Sequence, residues 1–339
     1  MSLPGSLARI DAPALSSALD DDPIVTEVVR GDLLECVHRG RVVVTAPDGS
    51  VVFGLGSVEA SMFPRSSIKP VQAIAMLRAG LDLSGAALAL AAASHSGETF
   101  HRDLVVEVLT GAGLGVDDLQ TTPDFPLDEA ARVAWIREGH DKEPLAMNCS
   151  GKHAAMLRTC VRAGWPTETY RDPSHPLQQA IAAAVEEFAG EATHTSVDGC
   201  GAPLFAMSLT GLARAFGRIA GASDGPERAV ADAYRQFPEY ASGSSREDLS
   251  LHRAVPGLIC KGGAEGCLAI GLPDGTGVAI KSDDGNMRGV FALAAVVLTA
   301  LGHGSSALDE LALTPVLGHG EPVGVVQVRR GVLDGLAQA

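Results

Sequence analysis

The sequence predicts an α+β fold: a mostly antiparallel sheet built from N- and C-terminal strands, with a helical lobe inserted between them. Three observations predict it. Val-rich segments broken by turn signals lie near both ends of the chain. The stretch between them has helical composition and spacing. No βαβαβ alternation runs through it, which argues against a doubly wound parallel sheet. One domain is expected over residues 1–339, with 22–60 and 258–335 as the sheet lobe and 61–257 as a mainly helical lobe.

The elements follow in order. Ile24 to Val29, Leu33 to His38, Val42 to Thr45 and Val51 to Leu55 read as short strands, and Pro47-Asp48-Gly49 as a hairpin tip. Helices are expected over Val71 to Ala79, Arg102 to Leu109, Ala154 to Ala163, Leu177 to Phe188, Leu204 to Ile219 and Glu227 to Phe237. Gly80, Gly111 and Gly164-Trp165-Pro166 supply stops. Strands return at Cys267 to Leu272 and Val278 to Lys281, around a second hairpin tip at Pro273-Asp274-Gly275. A helix from Met287 to Leu301 and a strand from Val323 to Val328 close the pattern. The Ser- and Gly-rich run from Glu239 to Glu247 reads as a flexible loop.

Composition narrows the function classes. Hydrophobic residues make up 46% but aromatics only 4%, so the core must be built from Ala, Val and Leu. The formal net charge is −15 with no Lys/Arg run to offset it, which disfavours nucleic acid and anionic membranes as partners. Pro4, Gly5, Arg9, Asp11 and Pro13 interrupt any secretory apolar core at the start. Val290 to Leu301 falls short of the roughly 18 apolar residues a membrane span needs. With six scattered cysteines, these features predict a cytoplasmic protein without a disulfide framework.

Chemistry is suggested first by Phe63-Pro64-Arg65-Ser66-Ser67-Ile68-Lys69-Pro70. Proline fits only the first turn of a helix, so Pro70 places Ser66 at or near the N-cap and Lys69 three residues on. Positions i and i+3 share a face, so the amine can reach the hydroxyl. A serine becomes a nucleophile when a base takes its proton, and a buried lysine with lowered pKa can be that base. The same residues also suit a capping serine followed by a solvated lysine.

Further polar clusters keep this motif company. An apolar run from Leu88 ends at Ser94-His95-Ser96-Gly97-Glu98, as polar residues lining a cleft or a capping loop would. Cys260-Lys261-Gly262-Gly263 precedes the C-terminal hairpin, and a Lys-x-Gly strand beside a Ser-x-x-Lys serine follows the three-part layout of penicillin-recognising enzymes. A glycine-rich turn with exposed Lys261 is the alternative, and Lys281 is a competing lysine. Asn148-Cys149-Ser150-Gly151-Lys152-His153 and Val197-Asp198-Gly199-Cys200 each place a thiol near a helix N-terminus. Two thiols meeting in space would suit Zn2+; otherwise they are buried free cysteines.

Taken together and in order, the blocks VVRGDLLECVHRG, FPRSSIKPVQAIAM, ASHSGE, NCSGKHAAML, DPSHPLQQAI, VDGCGAP, CKGGAEG and AIKSDDGNMR resemble the Rhizobium etli type of L-asparaginase, also called class 3 or the thermolabile asparaginase II family. The likeness runs from about residue 28 to about residue 300. It implies a fold like the serine β-lactamases and glutaminases, and hydrolysis of L-asparagine to L-aspartate and ammonia. It implies a Ser66–Lys69 pair and a second pair of Ser94 with Lys261 or Lys281. Cys149, Lys152 and Cys200 would be zinc ligands beside Asp198, with zinc aiding substrate binding. Arg65 would meet the substrate carboxylate, with Asp198 and His153 in the same pocket. A homodimer is implied as well. The competing classes are a glutaminase or other small-amide hydrolase of the same fold, a penicillin-interacting enzyme, and a thiol-based zinc or redox protein without hydrolase activity.

Overall fold

The computed structural model describes residues 19–190 and 192–336. The interrupted N-terminal stretch from Pro4 to Pro13 lies outside the described residues. In chain order the strands are β1 (Ile24–Arg30), β2 (Leu33–Thr45), β3 (Val51–Leu55), β4 (Thr195–Val197), β5 (Pro203–Phe205), β6 (Ile259–Gly263), β7 (Cys267–Gly271), β8 (Gly277–Ser282), β9 (Thr314–Gly318) and β10 (Glu321–Val328). The helices are α1 (Lys69–Arg78), α2 (Gly85–Ala91), α3 (Thr99–Thr110), α4 (Glu129–Arg137), α5 (Ser150–Ala163), α6 (Pro176–Ala189), α7 (Leu209–Ala220), α8 (Gly225–Gln236), α9 (Pro238–Ala241), α10 (Glu247–Ala254), α11 (Val290–Leu298) and α12 (Ser306–Ala312).

The expected α+β class is what forms. One antiparallel sheet runs β6-β7-β8-β2-β1-β10-β9, with β3 paired to β2, so strands from both chain ends interleave. Both expected hairpins are present. Their tips turn through Gly49 at φ +84° and Gly275 at φ +94°, a conformation that glycine adopts without steric cost. Among the described residues no helix is long and apolar enough to cross a membrane.

Every residue of β6, β7 and β8 is buried, the lysines of β6 and β8 included. Alternate strand residues face opposite sides of a sheet. Val43, Ile259, Ala269 and Ala279 pack into a core shared with α1, α2, α5, α6 and α7. Val42, Val44, Cys260, Leu268, Ile270 and Ile280 pack on the other face against α10, α11 and α12. This end of the sheet is therefore covered on both sides. Ile259, Lys261 and Gly263 share the face toward the helical lobe.

Several expectations change. Leu33–His38 and Val42–Thr45 are one strand, because Gly40 lets β2 pass the Lys281 carbonyl; a Cβ there would lie 2.5 Å from it. Leu204 to Ile219 divides into β5 and α7, where Ser208 caps the helix through Gly211 N–H. The helix expected over Met287 to Leu301 is α11 followed by a wider turn over Thr299–His303 containing Gly302 at φ +90°. The run 239–247, expected as flexible, is pinned: Ser244 bonds both Glu98 carboxylate oxygens, and Ser245 Oγ donates to Asp128 at 3.1 Å.

Candidate active site

A single 3-10 turn, Arg65–Ile68, leads into α1. Pro70 occupies the first helical turn as its missing N–H requires, but the N-cap is Ile68 rather than Ser66. Arg65 has φ +51°, a left-handed conformation that costs a non-glycine residue roughly 1–3 kcal/mol. The strained residue directly precedes Ser66. Its side chain is anchored by Asp198 (Nε–Oδ1 2.7 Å) and Glu265 (Nη1–Oε1 3.3 Å). From the sheet side, Gly263 presses on the same turn: a Cβ there would lie 2.5 Å from the Pro64 carbonyl and 2.8 Å from Ser67 Oγ. Ser66 itself is half-buried, and its hydroxyl has no hydrogen bond among the described residues.

Lys69 is 1% exposed. Its Nζ donates to Ala93 O at 2.5 Å and lies 2.9 Å from both Ser94 Oγ and Cys149 Sγ. The amine expected to serve Ser66, one turn behind it in the chain, is thus hydrogen-bonded to Ser94. Burial pushes the Lys69 pKa down, the Cys149 sulfur opposes, and the neighbouring Lys152 charge adds to the fall. An amine so placed reaches its neutral, proton-accepting form more readily than a solvated one.

Lys261 is also 1% exposed, and its Nζ donates to the Gly262 carbonyl. Its charged neighbours are Asp248, Arg246, Lys69 and Cys149, which places it in the same cluster. Burial pushes its pKa down to about 7. Lys281 stands elsewhere. It pairs with Cys267, which pairs with Gly263, so it lies two strands over, roughly 10 Å along the sheet. Its neighbours are Cys267, Arg41, Asp283 and Glu265, and its amine donates to Ser282 O.

Cys149 immediately precedes α5, and Cys200 lies in the β4–β5 turn; both are buried and free. Lys152, one turn into α5 and 2% exposed, brings its amine 3.1 Å from Cys200 Sγ. Burial opposes the Lys152 charge, but the two sulfurs hold its pKa above the ordinary lysine value. Cys200 is held low by the Cys149 hydrogen bond and then by Lys152, and Cys149 is raised by donating to it and by burial. His153 Nδ1 bonds the Tyr170 hydroxyl at 2.6 Å, while its Nε2 is buried on the side of Cys200. Burial lowers His153 to about 4, so its ring is neutral at pH 7. Among the described residues no group of three or more His, Cys, Asp or Glu side chains forms a metal cluster. A cation here would rest on two sulfurs and the Lys152 amine. Asp198 Oδ2 lies 4.0 Å from Cys200 Sγ. Two thiols beside a neutral imidazole suit a soft divalent ion such as Zn2+, which Lys152 could join only by giving up its proton.

The structure therefore brings Ser94, Lys69, Lys261, Cys149, Lys152, Cys200, Arg65, Asp198 and His153 into one polar region, with Ser66 on the turn that leads into α1, while Lys281 sits beside Cys267 and Glu265. Glu265, Tyr170, Arg246 and Asp248 join it unannounced. In sequence Asp248 looks like an ordinary acidic residue in a helical first turn. A cavity of about 620 Å3 reaches the Ser94 segment through Ser96 and Arg246, but neither Ser66 nor Lys69 lines it. Convergent polar groups, not cavity size, define the site.

A family model described as L-asparaginase II matches residues 26–328. No curated protein matches the sequence. Among solved structures, the chain is similar to a β-lactamase from Mycobacterium bovis, with 15% identity and TM-score 0.43 over 84% of this chain and 98% of that one. It is also similar to a Bacillus subtilis glutaminase in covalent complex with 5-oxo-L-norleucine, with 14% identity and TM-score 0.33 over 72% and 80%.

Proposed function

This chain belongs to the L-asparaginase II family, which makes it a hydrolase acting on amides, and we propose that it cleaves the side-chain amide of L-asparagine to L-aspartate and ammonia. The match over residues 26–328 carries the reading. Its likeness to the Rhizobium etli type rests on the eight ordered blocks and on the serine, lysine and thiol positions within them.

In the proposed reaction Ser66 Oγ attacks the amide carbon and its proton passes to the neutral Lys69 amine. The tetrahedral oxyanion collapses, the carbon–nitrogen bond breaks, and the proton held on the Ser94–Lys69 hydrogen bond moves to the departing nitrogen, which leaves as ammonia. Water then attacks the acyl–serine ester. One amine, Lys69 or Lys261, accepts its proton; the ester carbon–oxygen bond then breaks, that proton passes to the Ser66 oxygen, and aspartate is released. The strained Arg65 turn holds Ser66 toward solvent while Lys69 stays dry behind it. Arg65 and Asp198, 2.7 Å apart, match the two charges of an amino acid: guanidinium for the α-carboxylate, carboxylate for the α-ammonium. His153 backs this pocket from α5.

Cys149, Lys152 and Cys200 would hold a zinc ion. It would supply positive charge and a fixed geometry beside Asp198, which aids substrate binding rather than the attack itself. The reading includes a cytoplasmic homodimer, and a monomer by sedimentation at working concentration would remove the oligomer from it.

The deciding experiment measures ammonia release from asparagine and from glutamine by the wild type and by Ser66→Ala. The expected result is preference for asparagine and a loss of about a thousandfold or more in kcat for the variant, with its thermal transition unchanged. Undiminished turnover by Ser66→Ala sinks the serine mechanism. Equal or better use of glutamine sinks the substrate assignment, since one methylene is worth only about 1–3 kcal/mol in a pocket.

A further inference from the structure

The outer edge of β6 is closed by polar side chains that the proposed reaction does not use. Asp248, at the start of α10, is 1% exposed. Its Oδ1 accepts the Gly262 N–H at 2.8 Å, and Gly262 leaves just enough room: a Cβ there would lie 3.1 Å from that oxygen. Its Oδ2 is buried without a hydrogen bond and faces Arg246 Nη2 at 3.5 Å. Arg246 Nη1 in turn donates to the Ser94 carbonyl at 3.3 Å. The Gly262 carbonyl accepts the Lys261 amine. A continuous polar chain thus runs from the Ser94 backbone through Arg246 and Asp248 to Gly262 and the Lys261 ammonium head.

We propose that Arg246 and Asp248 are a positioning couple, which locks the Lys261–Gly262 backbone of β6 in fixed relation to Ser94 and so orients the second lysine of the site. The inference deepens the hydrolase reading, because it needs Lys261 to take part in the proton transfers. A buried carboxylate left half-satisfied is costly unless its position is used. Here the unbonded oxygen is turned toward the one guanidinium that also holds Ser94. The guanidinium and the carboxylate sit two residues apart at the start of α10, so the couple ties the helix entrance to β6 through Gly262 and to Ser94 through Arg246.

Electrostatics give the couple a signature of its own. The groups facing Lys261 are Asp248 on α10, Arg246 before it, Lys69 on α1 and Cys149 ahead of α5. His252, on the next turn of α10, faces Asp248. Asp248 favours the charged Lys261 and Arg246 disfavours it. Asp248 itself stays ionised because Arg246, Lys261 and the Gly262 N–H outweigh its burial.

Asp248→Asn keeps an oxygen for the Gly262 N–H and removes the charge, whereas Arg246→Gln removes the opposite charge. Lys261 is followed by NMR in 13C-lysine-labelled protein, assigned with Lys261→Arg, alongside kcat and KM for asparagine against pH. Asp248→Asn is expected to move the Lys261 titration, and the acidic limb of kcat/KM, down by about one pH unit. Arg246→Gln is expected to move both upward. Each should lose about tenfold in kcat with KM held within about twofold. Both variants leaving Lys261 where it was, or moving it in the same direction, overturns the proposal. If Asp248→Asn does not fold, Arg246→Gln alone decides by the sign of its shift. If the wild type releases no ammonia from asparagine, the hydrolase reading fails, and the NMR titration still decides the couple.

Discussion

At the scale of single residues, three lysines carry the argument because their amines are buried. Lys69, Lys152 and Lys261 are at most 2% exposed. Taking an ammonium out of water is expensive unless it is paired or gives up its proton. The three resolve that cost differently. Lys152 is held charged by the thiol pair, whereas Lys69 and Lys261 are pushed toward neutrality. The division separates an electrostatic role for Lys152 from a proton-accepting one for Lys69 and Lys261. The thiol side is testable at Cys200. Cys200→Ser is expected to lower bound zinc measured by elemental analysis and to raise KM for asparagine severalfold, with kcat changed far less. Chelation of the wild type should reproduce that rise. An unchanged KM in both cases would remove the metal from substrate binding.

At the scale of elements, the site exists because an edge strand presses on a helix entrance. β6 presents Lys261 and Gly263 on one face, and the period of two ensures that both look toward the helical lobe. Gly263 is the contact point. Gly263→Ala would place a methyl group 2.5 Å from the Pro64 carbonyl, a backbone atom that cannot step aside alone. Overpacking of this kind typically costs about 1–3 kcal/mol. Here the displaced segment is the turn that holds Ser66, so the expected outcome is a modest drop in melting temperature with a larger loss, tenfold or more, in kcat. A variant that melts early yet keeps full turnover would show that the strand does not set the serine turn.

At the scale of the whole molecule, both chain ends must be locked into one sheet for the inserted lobe to be held. A triad of two buried side chains and one partly buried carboxylate marks that closure. Arg41 of β2, 2% exposed, lies 3.4 Å from Asp22 before β1 and 3.4 Å from Asp283 after β8. Burial, then the neighbouring Asp22 charge, raises Asp283 to about 6. In the unfolded chain it would titrate near the ordinary carboxylate value of about 4. Between those values the folded state holds a proton that the unfolded state has released. Its contribution to stability is therefore present below about pH 4 and is lost as pH rises through about 6. Asp283→Asn removes this dependence. The melting temperature of the variant minus that of the wild type should grow between about pH 4 and pH 6 and then level off. A difference that is flat across that window would contradict the assignment.

Much of this protein was legible in its linear sequence wherever the signal is local. The two hairpin tips, the strands at both ends and the helical middle follow from turn residues and periodicities spanning a few positions. Ser66 with Lys69 could be read as a shared-face pair because three residues make about one turn, whereas Cys149 with Lys152 came from the family resemblance. Contacts across the fold could not be read that way. That Lys69 meets Ser94, that Lys261 has Lys69 among its charged neighbours, and that Asp248 stands behind Gly262 depend on strand register and on how the helical segments seat on the sheet. Lys261 and Lys281 even share a sheet face; only the order β6-β7-β8 sets them two strands apart. Backbone preference decides which elements form, whereas burial and pairing among distant segments decide which amine each serine meets.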